Sequence, residues 1–568
     1  MQKTHSTDSV QACQNCKKDF EIRKEDLIFY EQIKVPTPLC CPDCRMQRRI
    51  AFRNERTLYK RACDLCKKEG ISIYPNGTSF PVYCHQCWWG DGWDPTIYGV
   101  DYDKSRPFLE QFAELKNKVP RIALLVIDSI NSDYTNNSAE NKNSYLIFAA
   151  ENNEDCMYGR LIQNCKTSID CAFLYESELC YECSDCKKCF KCLFSERLQD
   201  CIEVLFSFDM RNCQNCILCT NGRNLNYCIE NIQCTKEEFE KKKAEILSSY
   251  ESIEKTKEKY NELRATAIVK YASSIKCNNA TGDYMYNCHD GVNLFDVSNA
   301  KNSYYNSDGE YPIDCQDVSN NYFKPERCYN IMGTLQSTNC IVGTYIMYCS
   351  ETSYSDSCYN CTNCFGCAGL NKKNYFILNK EYSKESFDKL RTQIIAEMKN
   401  EGVYGEFFPP ALSPFGYNET LAKEYFPMDE KEAKERGFNW QEQTSGTYGK
   451  ETIKEENMPE TIEKVTEDIL QEILVCKDCK KNFRITQSEL DFYKRMNLPL
   501  PHKDFECRHQ DRMKKRNPRK LWHRSCMCEK TNHPHHLDIG CPSEFETSYS
   551  PDRPEIVYCE QCYQQEVS

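Results

Sequence analysis

Pairs of cysteines spaced as C-x-x-C recur near the start of the chain, and their thiolates are good zinc ligands. Zinc prefers four thiolate or imidazole ligands in a tetrahedron, and two such pairs supply all four. The sequence therefore predicts two complete structural zinc sites in the first hundred residues. The first set is Cys13, Cys16, Cys41 and Cys44, and the second is Cys63, Cys66, Cys84 and Cys87.

The cysteines near the end of the chain form two less regular sets. The first has three thiolates, Cys476, Cys479 and Cys507, and either Asp504 or nearby His502 could complete it; a lost site is the alternative. The second set is Cys526, Cys528, Cys559 and Cys562, which we expect to bind zinc. The insertion inside it carries possible substitute ligands, although a solvated loop is favoured: Cys541, His533, His535 and His536. Three to four structural zinc sites are expected in all.

These sites favour a non-enzymatic role. A catalytic zinc keeps an open coordination position and has a carboxylate base close by, whereas sites built only from cysteine are closed. The three-thiolate site could hold water, but no H-x-E element accompanies it. No Ser-His-Asp set, P-loop or GxGxxG motif after a strand is evident, so no small-molecule substrate is identified.

A basic stripe lies between the cysteine pairs of each terminal region. Residues 45–61 carry seven Lys or Arg against one acid, and residues 508–524 carry eight against one. Arginines four residues apart share a helix face and can pair with phosphates, and Tyr59, Trp522, Trp88 and Trp89 could stack on bases. The stripes predict contact with RNA or DNA; pairing with the acidic middle of the chain is the alternative. The candidate arginines are Arg45, Arg49, Arg53, Arg56 and Arg61 in one stripe, and Arg508, Arg512, Arg516, Arg519 and Arg524 in the other.

The two terminal regions are copies of one another. Shifting residues 13–63 by 463 places them on 476–526 without a gap, with 21 of 51 positions identical. The shift superposes Cys13, Cys16, Cys44 and Cys63 on cysteines, Phe29-Tyr30 on Phe492-Tyr493, and the arginines of the two stripes on one another, whereas Cys41 falls on Asp504. Because the second C-x-x-C pair of each N-terminal set can open a helix, as in CPDCRMQRRIAF, the pattern favours treble-clef over all-β zinc modules.

A second duplication lies in the cysteine-rich middle. Shifting residues 180–246 by 148 superposes six cysteines, and each copy ends in a strand followed by a capped, charged helix. Cysteines recur at every third residue, as in Cys180, Cys183, Cys186, Cys189 and Cys192. That period suits narrow coils whose corners each turn one small side chain inward, so we predict a parallel β-solenoid. Its thiols are read as packing, with extra metal sites as the alternative.

The predicted fold is mixed and mainly β, with tandem treble-clef or zinc-ribbon modules flanking a duplicated, cysteine-rich parallel β-solenoid with connecting helices. The predicted units follow in order: a double zinc finger (1–100), a helix–strand connector (101–129), solenoid half one (130–236), a charged helix (237–272), solenoid half two (273–380), a helix and partly flexible linker containing a helix at 459–474 (381–470), and a second double finger (471–568).

The composition and the apolar segments of the chain indicate its cellular compartment. The chain has 41 cysteines in 568 residues and a net charge of -12. No apolar signal segment is visible at the N-terminus, and no apolar run is long enough to span a bilayer. Since C-x-x-C pairs in a reducing compartment indicate metal binding rather than disulfides, we expect a cytoplasmic protein that does not contact a membrane.

Several long motifs together resemble an uncharacterised, cysteine-rich zinc-ribbon family of candidate phyla radiation bacteria. They are CPDCRMQRRIAFRNERTLYKRACDLC, YCHQCWWGDGWDP, FFPPALSPFGYNET, and CRHQDRMKKRNPRKLWHRSC with SPDRPEIVYCEQC. The resemblance covers nearly the whole chain but implies no established activity. Some members carry a CoA-transferase label, although this sequence has no recognisable large α/β CoA-binding domain. The chain departs from the family pattern at Asp504 and at Cys526-Met527-Cys528.

The sequence leaves three candidate functions. The first is a zinc-stabilised scaffold that contacts RNA or DNA through the arginine stripes. The second is a solenoid whose long face binds a protein partner, with the zinc modules as caps. The third is a metal- or thiol-handling protein or enzyme in the cysteine-rich middle.

Overall fold

A computed structural model describes residues 9–442, 446–531, 533–537 and 540–567. Residues 1–8 of the predicted first module, 443–445 of the predicted linker, and 532, 538, 539 and 568 of the last module lie outside the described residues. The fold is mixed, with more strand than helix. Among the described residues, every helix is too short or too polar to cross a bilayer.

The N-terminal module contains two antiparallel hairpins and two helices whose N-cap residue is a cysteine. Cys41 caps one of these helices, and Pro42 occupies its first turn, where the missing N–H costs nothing. The elements of the module and the connector that follows are β1 Ser9–Ala12, β2 Asp19–Ile22, α1 Lys24–Gln32, α2 Pro42–Ile50, β3 Tyr59–Ala62, β4 Glu69–Ser72, β5 Val82–Tyr83, α3 His85–Trp89, α4 Phe108–Lys118, β6 Arg121–Ile122 and β7 Val126–Ile127.

Half one (130–236) consists of short strands that pair in parallel with strands twelve residues further along, such as Ala172 with Ser184. An antiparallel hairpin closes it, and a helix with a Thr235–Glu238 capping box follows. The strands and the two helices after them are β8 Ser138–Ala139, β9 Arg160–Gln163, β10 Ala172–Tyr175, β11 Ser184–Lys187, β12 Glu196–Gln199, β13 Ile202–Leu205, β14 Phe208–Arg211, β15 Gln214–Ile217, β16 Asn226–Ile229, β17 Ile232–Gln233, α5 Lys236–Leu247 and α6 Tyr250–Ala265. The single predicted helix over 237–272 is therefore two helices.

Half two (273–380) repeats this pattern with longer strands. Most of its parallel partners are twelve residues apart, but Gln316 pairs with Tyr329, thirteen residues on. It too ends in an antiparallel hairpin and a helix, which Ser383 caps. Its elements, after the separate strand β18 Ile268–Lys270, are β19 Ser274–Ile275, β20 Asn278–Tyr286, β21 His289–Ser298, β22 Lys301–Tyr304, β23 Ser307–Glu310, β24 Gln316–Tyr322, β25 Tyr329–Leu335, β26 Ile341–Met347, β27 Ser350–Tyr359, β28 Thr362–Phe365, β29 Asn374–Ile377, β30 Lys380–Glu381 and α7 Lys384–Asn400.

The backbone of both halves enters the left-handed region at nearly every third residue. Leu179, Glu182 and Asp185 have φ of 57°, 48° and 55°, and each precedes an inward cysteine. Left-handed backbone at this spacing turns the chain at each corner, so that every third side chain points into the narrow interior. Cys180 and Cys183 are fully buried there.

The stretch from 400 to 470 is packed over part of its described length, whereas most of residues 446–461 are exposed. Phe407, Phe408 and Tyr417 are buried in the core that the N-terminal module shares with half two. The helix predicted over 459–474 is replaced by two short 3₁₀ turns, Ile462–Lys464 and Glu467–Leu470. Two short helices also lie in this stretch, α8 Leu421–Tyr425 and α9 Glu430–Glu435.

The C-terminal module repeats the N-terminal one. Asp504 caps its second helix by accepting hydrogen bonds from the backbone N–H groups of Glu506 and Cys507. Its elements are β31 Leu474–Val475, β32 Asn482–Phe483, α10 Gln487–Met496, α11 Phe505–Lys515, β33 Trp522–Ser525, β34 Glu544–Thr547, β35 Ile556–Tyr558 and α12 Glu560–Val567. Strand β35 pairs in parallel with β18.

The terminal modules pack crosswise on the middle of the chain. One hydrophobic core joins the N-terminal module to half two, and another joins the C-terminal module to half one. Each module therefore packs against the half that is distant from it in sequence.

Candidate metal centres

The first cysteine set is assembled as the sequence predicts. The thiols of Cys13, Cys16, Cys41 and Cys44 converge, with the sulfur atoms of Cys16 and Cys41 3.7 Å apart. Tetrahedral zinc with Zn–S bonds of about 2.3 Å places its sulfur ligands about 3.8 Å from one another. The Cys41 backbone N–H also points at the Cys13 sulfur, at 3.2 Å. The four donors can hold a metal ion without rearrangement.

The second set has the same geometry. Cys63, Cys66, Cys84 and Cys87 converge, and the sulfur atoms of Cys66 and Cys84 are 3.8 Å apart. Burial alone raises the pKa of Cys63, but the backbone N–H groups of Cys84, Cys66 and Leu65 lower it to about 7. Because the thiolate is the form that binds metal, these backbone groups favour the ligand state.

Three of the four cysteine pairs that follow a hairpin strand share one turn. Lys17, Lys67 and Lys480 each follow the second cysteine of a pair, and each has φ of 63°. In each turn the lysine N–H donates to the carbonyl of the first cysteine, as Lys17 does to Cys13 at 2.9 Å. The turn aims two thiols at one point, which is how a short C-x-x-C segment becomes a bidentate ligand.

The third set gathers three thiols and a carboxylate. An oxygen of Asp504 lies 2.8 Å from the Cys479 sulfur, while its other oxygen caps helix α11. The capping bonds hold the carboxylate facing the cysteines, so Asp504 fits the role of fourth ligand beside Cys476, Cys479 and Cys507. His502, the other candidate, is stacked on Tyr250 with ring centroids 3.6 Å apart.

The fourth set differs from the prediction. Cys541 joins Cys526, Cys559 and Cys562, and all four are buried. Cys528 instead belongs to a second group with His533, His536 and Cys562. The Cys526-Met527-Cys528 spacing is one residue shorter than in the other pairs, so it cannot form the same turn. The insertion predicted to be a solvated loop supplies buried ligands, a possibility that the sequence offered through its cluster of Cys541 and three histidines.

The cysteines of the two halves have a different environment. The Cys165 sulfur lies 3.2 Å from the carbonyl oxygen of Gln163 and 3.3 Å from that of Leu174. Burial raises the pKa of Cys165 to about 12. A buried thiol that donates to two backbone carbonyls fits a packing role.

The first arginine stripe points into the protein. Arg45 and Arg49, one turn apart on α2, both pair with Asp317 of half two, at 2.9 and 2.7 Å. The side chains of all three are at most 4% exposed. Nearby, the Tyr305 hydroxyl donates to Asp26 at 2.8 Å. These arginines bind a carboxylate of their own chain and present no surface to phosphate.

The second stripe repeats this arrangement on half one. Arg508 and Arg512 of α11 pair with Asp170, at 2.9 and 3.2 Å, and again all three side chains are at most 4% exposed. The Tyr158 hydroxyl donates to Glu489 at 2.8 Å. Each of these five residues corresponds to one at the N-terminal interface, through the shift of 463 in the modules and of 147 in the halves.

The other arginines are also engaged internally. Arg53 pairs with Glu55, Arg56 with Glu506 of the opposite module, Arg61 with Asp64, Arg516 with Asp185 and Asp296, and Arg519 with Asp296 and Asp308, while Arg524 donates to the carbonyls of Tyr549 and Ser550. In the described fold these ten arginines therefore do not form an exposed stripe, and their contact with RNA or DNA stays a prediction. Nine of them pair with internal acids, as in the alternative interpretation, and Arg524 donates to backbone carbonyls.

The aromatic residues suggested for base stacking are mostly covered. Tyr59 is buried and donates to Glu419 at 2.6 Å, and Trp88 is also buried. Trp522 is half-buried. Trp89 is 44% exposed but stands against Tyr359, with ring centroids 4.8 Å apart.

Sequence reasoning missed Asp170 and Asp317, the acids that receive the arginines. A signal for them was present, because the duplication extends upstream of residue 180 at a shift of 147. The shift that relates the two halves is 147 upstream of this point and 148 downstream. The extra residue is the one that makes the step between Gln316 and Tyr329 thirteen residues long instead of twelve. Two aspartates at matching positions, each inside an apolar repeat, were candidates for buried counterions.

No protein-family model matches this chain, and no curated protein matches it. Among solved structures, it is similar to a protein from Desulfovibrio desulfuricans G20 labelled an acetyltransferase, with 10% sequence identity. The match covers 48% of this chain and 81% of that one, with a TM-score of 0.10. At that TM-score the likeness carries no argument about fold or activity.

Proposed function

We propose that this protein is a non-enzymatic, zinc-stabilised scaffold in which two terminal zinc modules clamp a duplicated β-solenoid. The proposal rests on two buried clusters of ion pairs, which we call the clamps. Arg45 and Arg49 converge on Asp317, and Arg508 and Arg512 converge on Asp170. A buried carboxylate with two guanidinium partners joins each module to its half, so the modules act as structural parts of one body.

The reading of the middle as a β-solenoid rests on its register and its interior. Parallel partners recur at twelve-residue steps through both halves, and every third side chain turns inward. Such coils bury a continuous column of small side chains but leave two open ends. The antiparallel hairpins and helices α5 and α7 lie at the C-terminal ends of the two halves, where they serve as caps.

Zinc is the metal that fits the terminal modules, because tetrahedral sets of sulfur and nitrogen donors are typical of it. The metal ligands and the clamp arginines lie next to one another on the same helices. Cys41 and Cys44 lie in the first turn of α2, directly before Arg45, and Cys507 directly precedes Arg508. Metal bound to these thiols fixes the start of each helix and with it the register of the arginines.

Chelation tests this link. Removing the metal from the purified full-length chain with a strong chelator is expected to increase hydrogen exchange in β24, which holds Asp317, and around Asp170. Reloading zinc should restore protection. If chelation leaves exchange at both aspartates unchanged, the metal does not support the clamps and the scaffold proposal fails in this form.

A protein partner on the solenoid face is the favoured binding role, since the arginine stripes are engaged internally. Half two exposes large aromatic side chains at its corners, with Tyr311 41%, Phe323 52% and Tyr348 48% exposed. A nucleic-acid role would need another surface. The third candidate, thiol or metal handling in the middle, is not favoured, because thiols of both halves, such as Cys165 and Cys328, are buried and donate to backbone carbonyls.

Binding to mixed RNA and DNA across a salt series separates the two partner classes. We expect no tight, steeply salt-dependent binding by the zinc-loaded protein, because phosphate contacts require accessible cations. The variant Arg524→Gln removes the most accessible stripe arginine, and Lys514→Gln, at an exposed lysine, is its matched control. Tight binding at low salt that Arg524→Gln weakens and Lys514→Gln does not would favour the nucleic-acid role instead.

Two further assignments belong to this proposal. We place the chain in the uncharacterised zinc-ribbon family that its motifs resemble, and we place it in the cytoplasm. All 41 cysteines are free thiols in the structure, which suits a reducing compartment.

A further inference from the structure

The C-terminal module contains two overlapping groups of metal ligands rather than one. Cys526, Cys541, Cys559 and Cys562 form the first group, and Cys528, His533, His536 and Cys562 form the second. All seven residues are buried, and Cys562 belongs to both groups. Over its described residues, 9–100, the N-terminal module has no counterpart to the second group, since the insertion that carries the histidines is absent from its sequence.

The first group has the geometry of the other four-cysteine sites. The sulfur atoms of Cys541 and Cys559 are 3.8 Å apart, as expected for zinc ligands at the corners of a tetrahedron. The Cys559 N–H points at the Cys526 sulfur at 3.2 Å, which repeats the contact of Cys41 with Cys13.

The second group has two imidazoles turned toward two sulfur atoms. Nδ1 of His533 lies 3.5 Å from the Cys528 sulfur, and Nε2 of His536 lies 3.4 Å from the Cys562 sulfur. Zinc bonds of about 2.3 Å to sulfur and about 2.0 Å to nitrogen give a tetrahedral N–S edge of about 3.5 Å. The four donors are therefore spaced as a second zinc ion requires.

A carboxylate supports the His533 ring from behind. Its Nε2 lies 2.9 Å from an oxygen of Glu566, so the proton belongs on Nε2 and the lone pair of Nδ1 faces the sulfur atoms. Histidine ligands of zinc usually have such a carboxylate partner, which fixes the tautomer. Glu566 and Cys562 are four residues apart on α12, on the same helix face.

We propose that the C-terminal module holds a dinuclear zinc centre in which the Cys562 thiolate bridges the two ions. One ion takes Cys526, Cys541 and Cys559 with the bridge, and the other takes Cys528, His533 and His536 with the bridge. Two divalent ions offset four of the five thiolate charges, so sharing one thiolate leaves less uncompensated charge than two separate four-cysteine sites would. This centre goes beyond the scaffold role and does not depend on which partner the scaffold binds.

His535 is the competing ligand. Its Nε2 lies 3.2 Å from the Cys562 sulfur and 3.6 Å from the Cys541 sulfur, and with His536 these residues form a third possible group. That group would bind a single ion, and neither Cys528 nor His533 would be among its ligands. The two arrangements therefore differ in ion number and in which variants lose an ion.

Native mass spectrometry of the full-length, zinc-loaded chain counts the ions. We expect His533→Ala and Cys528→Ser each to bind one ion fewer than the unmodified chain, and Cys562→Ser to bind two fewer. His523→Ala, at an exposed histidine, and Cys234→Ser, at a half-buried cysteine, are matched controls that should lose none. An unchanged count in both His533→Ala and Cys528→Ser overturns the proposal, as does a single ion that is lost in His535→Ala.

Cadmium substitution tests the bridge without a variant that could fail to fold. In the unmodified chain loaded with ¹¹³Cd, two ions that share a thiolate split one another's resonances and give a cross-peak in a ¹¹³Cd–¹¹³Cd correlation spectrum. We expect one such pair, with one resonance typical of four sulfur ligands and one of mixed sulfur and nitrogen ligands. A fully loaded protein without a cross-peak would show that no thiolate is shared. Neither result depends on the nucleic-acid or chelation outcomes.

Discussion

At the scale of single residues, the clamps depend on two buried aspartates. Asp170 and Asp317 are each the counterion of two arginines, and removing one charge from a buried group of this kind leaves the other charges uncompensated. The cost of such a change normally exceeds the value of the intact pair, because a bare guanidinium has neither water nor a partner.

We predict that Asp170→Asn and Asp317→Asn each lower the free energy of unfolding by about 3–5 kcal/mol. Urea unfolding of the zinc-saturated protein measures the change. Asp155→Asn is the matched control, since Asp155 is exposed and asparagine tolerates its left-handed φ of 55°. If both clamp variants lie within about 1 kcal/mol of the control, a value typical of surface changes, the aspartates are not structural counterions.

Glu55 adds a pH dependence at a different contact, between the N-terminal module and half one. Its carboxylate lies 2.6 Å from Arg53 and 2.9 Å from Arg160. Burial by itself raises the pKa of Glu55, but the two guanidinium groups lower it to about 2. A carboxyl whose folded pKa lies below its unfolded value of about 4.3 stabilises the fold above that value. The stabilisation is lost as pH falls from about 4.3 toward 2.

The variant Glu55→Gln isolates the contribution of the ionised Glu55 carboxylate to the free energy of unfolding. We expect it to be less stable than the unmodified protein by roughly 3 kcal/mol at pH 7, with the gap narrowing as pH falls below about 4.3. Unfolding midpoints in urea at several pH values give the comparison, and Glu110→Gln, at an exposed site, is the control. A gap that stays constant from pH 7 to pH 3 would contradict the assigned ion pairs.

Much of the residue-level site could be predicted from the sequence, and the part that could not has a physical reason. The spacing of C-x-x-C pairs identifies zinc ligands, because the local turn alone converges the thiols. The direction of an arginine is not local. Arg45 and Arg49 share a helix face in either reading, and only the position of Asp317, far away in sequence, decides that this face is buried.

At the scale of elements, the middle of the chain is governed by its period of three. One inward column runs through Ser144, Cys156, Ser168, Cys180 and Cys192, each twelve residues from the next. Serine and cysteine are thus interchangeable along one column. The Ser168 hydroxyl donates to the carbonyl two residues earlier at 2.9 Å, and the Cys180 thiol lies 3.6 Å from the equivalent oxygen.

We predict that Cys180→Ser costs only about 1 kcal/mol, because the hydroxyl can make the bond that Ser168 makes. Cys180→Leu should cost more, about 1–3 kcal/mol, since a narrow and fully packed interior has no room for the added methyl groups. Urea unfolding gives both values, and native mass spectrometry should show no loss of metal in Cys180→Ser. Loss of an ion in that variant would favour a metal site in the middle instead of packing.

The element-level prediction was incomplete for a different reason. A period of three in cysteine indicates inward corners but does not give the number of corners in a coil. The parallel pairing at twelve-residue steps sets that number at about four. The helix expected over 459–474 has suitable propensity but forms 3₁₀ turns, with Ile462 and Ile469 buried against neighbouring elements. Tertiary packing there overrides local preference.

At the scale of the whole molecule, the chain contains two equivalent pairs of module and half. The rings of Tyr30 and Tyr329 lie 5.6 Å apart, and the matching rings of Tyr493 and Tyr181 lie 5.8 Å apart. The same duplicated side chains therefore build both interfaces. Because each module packs on the half distant from it in sequence, contacts between the first and second parts of the chain close the fold, and neither part is complete alone.

This arrangement predicts that the chain can be divided between its halves and reassembled. A break after Thr266 separates the N-terminal module and half one from half two and the C-terminal module, and it keeps β18 with β35. Each fragment then lacks the partner of both its clamps, so each should aggregate or unfold when produced alone, because Arg45 or Arg508 would be exposed beside an unfilled apolar face.

Coexpressed with zinc, the two fragments should purify together through a tag on one of them. Asp170→Asn combined with Asp317→Asn in the fragments removes both counterions and should abolish copurification, whereas Asp155→Asn should not. Two fragments that fold independently and do not associate would show that each module belongs with its neighbour in sequence.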